Sequence, residues 1–148
     1  MDYNFSTALG FALQWEGGYV NDPADPGGET KWGISKKAFP NLDIKNLTEA
    51  QRDGIYKAKY WDACKCSGLA SPLDIAVFDT AVNCGVSRAL RWLDASKWDY
   101  KEFIAIRNQH YINIIAKNPR LYKFKKGWLR RTGSLLALCD KISKAKVM

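Results

Sequence analysis

The sequence predicts a mainly α fold of the α+β class, with about six helices and one small early β-hairpin. Apolar residues recur at helical spacing through most of the chain, which predicts amphipathic helices. One stretch departs from this pattern, because residues 17–35 contain five glycines and two prolines, a composition typical of turns and short strands. The chain has 148 residues, of which 47% are hydrophobic and 26% charged, the size and balance of one compact globular domain.

The first helix is predicted from about Asn4 to Glu16, and Gly17-Gly18 should end it. Its apolar face comprises Phe5, Leu9, Ala12 and Leu13. The next two apolar segments are Tyr19-Val20 and residues 31–34, on either side of a turn-rich stretch. This arrangement predicts a small β-hairpin.

Two sequence signals predict the next two helices. Thr48 and Gln51 have the spacing of a capping box, which should open a helix. Ser71-Pro72 is a start signal that places proline at the first helical position. Residues 73–82 are apolar nearly all round, so we expect this helix to be buried at the centre of the fold.

The remaining helices follow from caps and breakers. Gly85 should end the central helix and Ser87 should cap the next one. A longer helix is predicted over about residues 100–117, where Pro119 stops it, and a last helix is predicted after Gly127.

The net charge of +8 is concentrated in the last fifth of the chain. Residues 117–148 contain ten lysines and arginines and one acid, Asp140, whereas residues 1–116 are almost neutral. Such a segment indicates a polyanionic partner: an anionic bacterial envelope, a membrane surface or nucleic acid. The alternative is a basic helix that serves solubility alone. Basic and aromatic residues alternate over 123–131, but no recognition motif accompanies them, so we expect no nucleic-acid partner.

Composition also excludes several kinds of catalytic site. The single histidine, His110, argues against a zinc hydrolase site and against a Ser-His or Cys-His dyad. We expect neither a metal nor a cofactor. Four cysteines are expected to be reduced packing residues: Cys64, Cys66, Cys84 and Cys139. Carboxylates therefore remain as the main candidates for hydrolytic chemistry.

The first residues contain neither a basic nor an apolar segment of a secretory signal. We therefore expect synthesis and retention in the host cytoplasm until another protein releases the chain.

Glu16 is the first anomaly, because helical spacing places it on the apolar face at the end of the first helix. Partial burial and the negative end of the helix dipole should both favour its protonated form. A carboxyl that is protonated near neutral pH can act as a general acid. The alternative is an ion pair with a buried arginine such as Arg107, which also falls on an apolar stripe.

The glycine-rich segment that follows is the second anomaly. Four polar residues crowd it: Asp22, Asp25, Glu29 and Thr30. The segment lacks the lysine of a phosphate-binding loop and the acid spacing of an EF-hand. A carboxyl general acid followed by a hairpin with an Asp and a Thr suits glycoside hydrolysis, in which a second group orients a water. The alternative is a plain surface hairpin with turn-forming acids.

Residues 16–35 read EGGYVNDPADPGGETKWGIS, which closely resembles the signature of glycoside hydrolase family 108. Further similar stretches are Tyr60-Trp61, residues 78–85 and residues 127–131, so the resemblance covers nearly the whole chain. The family comprises phage and prophage N-acetylmuramidases, or endolysins, with a lysozyme-like fold. The C-terminal half of such proteins is often described as a peptidoglycan-binding region, which would suit the basic segment.

The resemblance implies that Glu16 is the catalytic acid. The spacing of Glu16 and Asp25 is also similar to the Glu-Asp-Thr triad of phage-type lysozymes, in which the Asp and Thr flank the attacking water. Here four residues separate Asp25 from Thr30, one fewer than in that triad, and Glu29 replaces the usual small residue or proline. By this similarity, Asp25 and Thr30 would position the attacking water.

Several further side chains are candidates for substrate binding. Tyr19, Trp32 and Tyr60 could stack on the apolar faces of sugar rings, as could Trp61, although each residue type is more often part of a core. Asp79 and Asn83 lie one helical turn apart on the central helix and must find hydrogen-bond partners there. Asn83 could line the cleft or serve the core, whereas we expect Asp79 to satisfy loop backbone.

Taken with the resemblance, the residues predict a monomeric muramidase that hydrolyses the β-1,4 bond between N-acetylmuramic acid and N-acetylglucosamine of peptidoglycan. The expected unit is a single domain over 1–148, with a catalytic part at 1–95 and a basic helical part at 96–148. The family also implies an endolysin that relies on a separate membrane-permeabilising protein. Two alternatives remain: a lytic transglycosylase, and a non-catalytic envelope-binding module.

Overall fold

The computed structural model describes residues 2–24 and 26–147. The described chain contains six α-helices: α1 (Phe5–Leu13), α2 (Glu49–Tyr56), α3 (Leu73–Cys84), α4 (Val86–Ala95), α5 (Tyr100–Lys117) and α6 (Lys125–Val147). A π-helical segment (Lys57–Asp62) continues α2, and short 3-10 helices occur at Asp2–Asn4, Cys66–Gly68 and Pro119–Phe124. The predicted mainly α fold with about six helices is confirmed.

The glycine-rich segment forms a three-stranded antiparallel sheet rather than a simple hairpin. Its strands are β1 (Val20–Asn21), β2 (Glu29–Lys31) and β3 (Ile34–Ser35), in the order β1-β2-β3. The predicted second strand over residues 31–34 is wrong, because Trp32 and Gly33 form a turn with φ of 52° and 77°. Positive φ at both positions reverses the chain, so Lys31 pairs with Ile34 across the turn.

Helix α3 is the centre of the fold, as its apolar composition predicts. Every residue from Leu73 to Ala81 is buried, and α3 packs against α1, α4, α5 and α6. The ring of Phe78 meets Phe5 and Trp61 edge-on, with centroids 5.7 and 5.8 Å apart. Trp61 is completely buried, so it cannot be a sugar platform.

Two predicted helix starts are confirmed and the others shift. The capping box of Thr48 and Gln51 is present at α2, and α5 spans the predicted residues with Asp99 as its N-cap. Gly85, not Ser87, caps α4, because α3 and α4 are joined by this single residue. Helix α6 begins at Lys125 and includes Gly127.

Helix α3 begins at Leu73, immediately after Pro72. Helix α1 ends at Leu13, three residues before the predicted end, because the chain tightens there. The amides of Gln14 and Trp15 bond to carbonyls three residues back, the pattern of a closing 3-10 turn. Glu16 therefore lies beyond the helix.

The cysteines are free thiols, and all except the half-buried Cys84 are buried. No helix in the described residues is long and apolar enough to cross a membrane.

Candidate functional site

Glu16 lies in a bend between α1 and β1, with its side chain 19% exposed. Its Oε1 accepts a hydrogen bond from Arg131 Nη1 at 3.1 Å. Burial raises the pKa of the Glu16 carboxyl above its ordinary value, although the charge and hydrogen bond of Arg131 act in the opposite direction. The expected contribution of the α1 dipole is weakened, because the helix ends three residues earlier. Burial, with a smaller contribution from the charge of Asp79, therefore keeps the pKa of this carboxyl raised.

Arg131 links Glu16 to the buried core. This arginine is 5% exposed, and its Nη2 donates to Asp79 Oδ1 at 2.8 Å. Asp79 also accepts from Arg107 Nη1 at 2.9 Å, so two carboxylates and two guanidinium groups form a line that runs inward from Glu16. Arg107 and Arg131 carry two positive charges against the single negative charge of Asp79. A net positive charge therefore faces the carboxyl of Glu16.

The alternative in which Glu16 pairs with a buried arginine is realised by Arg131, whereas the arginine named as an example, Arg107, pairs with Asp79. The expectation that Asp79 serves loop backbone is wrong, because its oxygens accept from these two arginines. Burial disfavours the charge of Asp79, but Arg107 and Arg131 outweigh it and hold the pKa of Asp79 below its ordinary value. The sequence did contain a signal for Arg131. It lies one turn before Leu135 and two turns before Cys139 on the buried face of α6.

The turn between β2 and β3 approaches the carboxyl from the other side. A Cβ atom on Gly33 would lie 2.8 Å from Glu16 Oε2, so any other residue would displace the carboxyl and strain the backbone at a φ of 77°. The hydroxyl of the buried Tyr56 donates to the carbonyl of Trp32 and fixes this turn. Tyr56 is a further residue that the sequence patterns did not single out.

Glu16 borders a cavity of about 290 Å³, called here the Glu16 cavity. Its lining residues are Trp15, Glu16, Asn83, Gly127, Trp128 and Arg131. Asn83 faces the cavity from the end of α3, and its Oδ1 accepts from Arg107 Nη2 at 3.2 Å and from the Tyr111 hydroxyl. The buried indole N–H of Trp15 has no hydrogen-bond partner among the described residues. The cavity thus combines a carboxyl, an amide, a cation and two indole rings.

The aromatic candidates differ in their distance from this cavity. Tyr60 is half-buried and meets Tyr56 edge-on, and its pKa is raised by burial and by the charge of Glu16, which places it near the carboxyl. Both Lys31 and Arg52 place a cation 4.6 Å from the ring centroid of Trp32. Tyr19 directly precedes β1 and is 39% exposed.

Of the two residues proposed to position water, the described one, Thr30, does not line the Glu16 cavity. Thr30 is half-buried in the middle of β2, paired with Val20 and Ser35. Asp25 lies outside the described residues. The nearby Glu29 accepts a hydrogen bond of 2.5 Å from the Tyr19 hydroxyl.

The described residues contain no group of three or more His, Cys, Asp or Glu side chains that could hold a metal ion. The chemistry available at the Glu16 cavity is that of a carboxyl with a raised pKa, held between a guanidinium group and a tight turn.

Comparison with known proteins adds two findings. The model of the family described as Glycosyl hydrolase 108 matches residues 9–85, a range that holds Glu16, the sheet, Asp79 and Asn83. The solved structure of SagA from Brucella abortus has a similar fold, with a TM-score of 0.79, 23% sequence identity and coverage of 100% of both chains. At this identity the likeness concerns the fold alone. No curated protein matches the chain in sequence.

Proposed function

The chain belongs to the glycosyl hydrolase 108 family, and from this premise we propose that it is an N-acetylmuramidase with Glu16 as its general acid. Membership makes it a glycoside hydrolase of a family that acts on peptidoglycan. The bond cleaved is the β-1,4 linkage from N-acetylmuramic acid to N-acetylglucosamine.

The observation that carries this proposal is the carboxyl of Glu16 on the wall of an open cavity, with its pKa raised by burial. Glu16 donates its proton to the glycosidic oxygen while the bond from that oxygen to the anomeric carbon of the muramic acid breaks. The glucosamine residue leaves with a free 4-hydroxyl. A water molecule then adds to the oxocarbenium-like anomeric carbon, and Asp25 and Thr30 position this water or stabilise the charge.

Arg131 and the Gly33 turn prepare Glu16 for this step. The turn restricts the carboxyl from one side, and the guanidinium group holds Oε1 from the other. Once the proton has left, Arg131 stabilises the carboxylate that remains. Because Asp79 and Arg107 anchor Arg131 from behind, the cation stays in place throughout the reaction.

The direct test is mass spectrometry of the soluble fragments that the wild type and Glu16→Gln release from purified peptidoglycan. Fragments with reducing muramic acid ends, absent from the variant, are the expected result. Anhydro-muramic ends would instead identify a lytic transglycosylase. If neither protein releases fragments while both are folded by circular dichroism, the envelope-binding module is the better explanation.

The proposal includes attraction of the basic segment, residues 117–148, to the anionic envelope. Lysines and exposed aromatic rings surround a second cavity at the start of α6, where Tyr122, Lys123, Lys125, Lys126 and Leu129 form the wall. Tyr122 and Phe124 are 66% and 44% exposed, and Lys125 and Lys123 lie over their rings. Sedimentation of the full chain with purified cell walls should fall steeply as salt is raised, and Lys125→Gln/Lys126→Gln should weaken binding more than Lys101→Gln.

The proposal also includes the role of a phage or prophage endolysin that depends on a separate membrane-permeabilising protein. Bacteria that express the chain should lyse only after the inner membrane is permeabilised chemically, and cells that express Glu16→Gln should not lyse. Lysis without permeabilisation would contradict this dependence.

A further inference from the structure

Two more cavities adjoin the Glu16 cavity along α4 and α5. The first has a volume of about 290 Å³, and its wall comprises Asn83, Cys84, Arg88, His110, Tyr111, Ile114, Leu121 and Trp128. The second, of about 460 Å³, lies at the start of α4 and contains Arg88 and Arg91. We call these two cavities together the arginine groove.

Shared wall residues connect the arginine groove to the Glu16 cavity. Asn83 and Trp128 line both the Glu16 cavity and the first cavity of the groove. Cys84 and Arg88 line both cavities of the groove. A ligand held beside Glu16 can therefore extend past Asn83 and Trp128 toward the two arginines.

The charge of the groove is positive and uncompensated. Arg88 and Arg91 are exposed, and neither forms an ion pair with a carboxylate in the part of the chain that the structure describes. Arg88 makes one long hydrogen bond of 3.3 Å, to the Cys84 carbonyl. Burial lowers the pKa of His110, and the charges of Arg88 and Arg91 lower it further, which places both cations near the imidazole ring.

The wall between the arginines and Glu16 is aromatic and rigid. The rings of Tyr111 and Trp128 stack with centroids 4.8 Å apart, and the Tyr111 hydroxyl is fixed between Arg107 and Asn83. His110 packs against Trp92 at 5.0 Å. Tyr111 is only 3% exposed and supports Trp128 by stacking, so the half-buried ring of Trp128 provides the apolar surface that leads to the two guanidinium groups. This combination suits a chain with apolar side groups and carboxylates.

We propose that the arginine groove binds the stem peptide of peptidoglycan, with Arg88 and Arg91 pairing to its free carboxylates. The inference rests on the proposed function, since the lactyl group of N-acetylmuramic acid carries the stem peptide at the sugar whose bond is cleaved. The peptide follows the half-buried ring of Trp128, and its carboxylates reach the arginines. Once the peptide is removed, the glycan keeps only the lactyl carboxylate of each muramic acid, which lies on the sugar itself and not along a peptide.

The test compares one enzyme on two substrates: peptidoglycan with its stem peptides, and the same glycan after an amidase has removed them. The variants are Arg88→Gln, Arg91→Gln and the double variant, and Lys101→Gln on α5 is a control for the loss of one exposed charge. For the double variant we expect kcat/KM to fall about tenfold or more on the stem-bearing substrate, mainly through KM. On the stripped glycan we expect less than about a twofold change. On the stem-bearing substrate, Arg88→Lys should retain part of the kcat/KM that Arg88→Gln loses.

Equal losses on both substrates, or no loss on either, would overturn the inference. A binding measurement keeps the test independent of turnover. In a Glu16→Gln background, a disaccharide–tetrapeptide should bind more tightly than the disaccharide by calorimetry, and Arg88→Gln/Arg91→Gln should abolish this difference. Equal binding of both ligands in that background would also overturn it. Failure of the proposed function is distinguishable, because the wild type would then produce no reducing muramic acid ends from either substrate.

Discussion

Arg131 Nη1 lies 3.1 Å from Glu16 Oε1, while the other terminal nitrogen of the same guanidinium group lies 2.8 Å from Asp79. One side chain from α6 thus joins the Glu16 carboxyl, which follows α1, to a buried carboxylate on α3. The relationship makes the protonation of Glu16 depend on a residue 115 positions later in the chain.

Arg131→Gln should move the alkaline limb of the activity profile to higher pH. Arg131 lowers the pKa of Glu16, so its removal lets burial raise that pKa further. A general acid works in its protonated form, and activity is lost as the pH rises through its pKa. The measurement is the pH dependence of kcat/KM. We also expect kcat to fall by about tenfold to a hundredfold, because the carboxyl loses its orientation.

The neighbouring Arg130 provides the control, since it is exposed and its substitution by glutamine removes the same charge. Arg130→Gln should leave the limb unchanged, and Arg131→Lys should return it toward the wild-type position. A limb that stays in place or moves to lower pH in Arg131→Gln would contradict this role.

Gly33→Ala should impair both stability and activity, whereas Gly28→Ala should impair stability alone. Both glycines have positive φ, 77° and 70°, so each alanine carries a backbone cost of about 1–2 kcal/mol. Only at Gly33 would the new Cβ meet Glu16 Oε2, at 2.8 Å, whereas nothing lies within 4 Å at Gly28. Denaturant unfolding and peptidoglycan turnover, measured on both variants, separate the two effects. Equal turnover in the two variants would show that the close approach is unimportant.

The central helix could be predicted from the sequence because its environment is nearly uniform. A segment that is apolar all round has one stable location, the core, and α3 occupies it. The capping box of α2 was equally predictable, because both of its hydrogen bonds are local.

The carboxyl partners could not be predicted in the same way. Periodicity shows that Arg107 points inward from α5, but not which carboxylate it meets. That choice depends on how α5 and α6 pack against α3, and the packing gives Arg107 to Asp79 and Arg131 to Glu16. The third strand was missed for another reason, since the left-handed conformation of Trp32 is rare outside glycine.

Asp79→Asn should destabilise the fold by about 3–5 kcal/mol, because it leaves the buried guanidinium group of Arg107 without an anion and that of Arg131 with Glu16 alone. The pKa of Asp79 is held below its ordinary value in the folded protein. Its contribution to stability is therefore fully present when the pH is above the ordinary pKa, and it is lost as the pH falls through the lowered pKa. The free energy of unfolding, measured between neutral and acid pH, should therefore fall toward acid in the wild type and fall less in Asp79→Asn.

The matched control is Asp53→Asn, which breaks an ion pair of the same 2.9 Å length with Arg52. Asp53 is 44% exposed, so its loss should cost less than about 1 kcal/mol. Similar losses in the two variants would show that burial does not strengthen the Asp79 network.

Alkylation of Cys84 should obstruct the arginine groove, because this residue lines both of its cavities. Cys84 is half-buried while the other three cysteines are buried, so iodoacetamide should modify the native protein once, at this thiol. The Cys84 Sγ lies 3.2 Å from Asn83 Oδ1 and 3.6 Å from the Tyr111 hydroxyl, and an added carboxamidomethyl group must occupy the space beside them. Turnover of stem-bearing peptidoglycan should fall after modification. Cys84→Ser should resist the reagent and keep its turnover. Mass spectrometry should first establish that the wild type is modified once, at Cys84. Full activity of that modified protein would contradict passage of the substrate along the arginine groove.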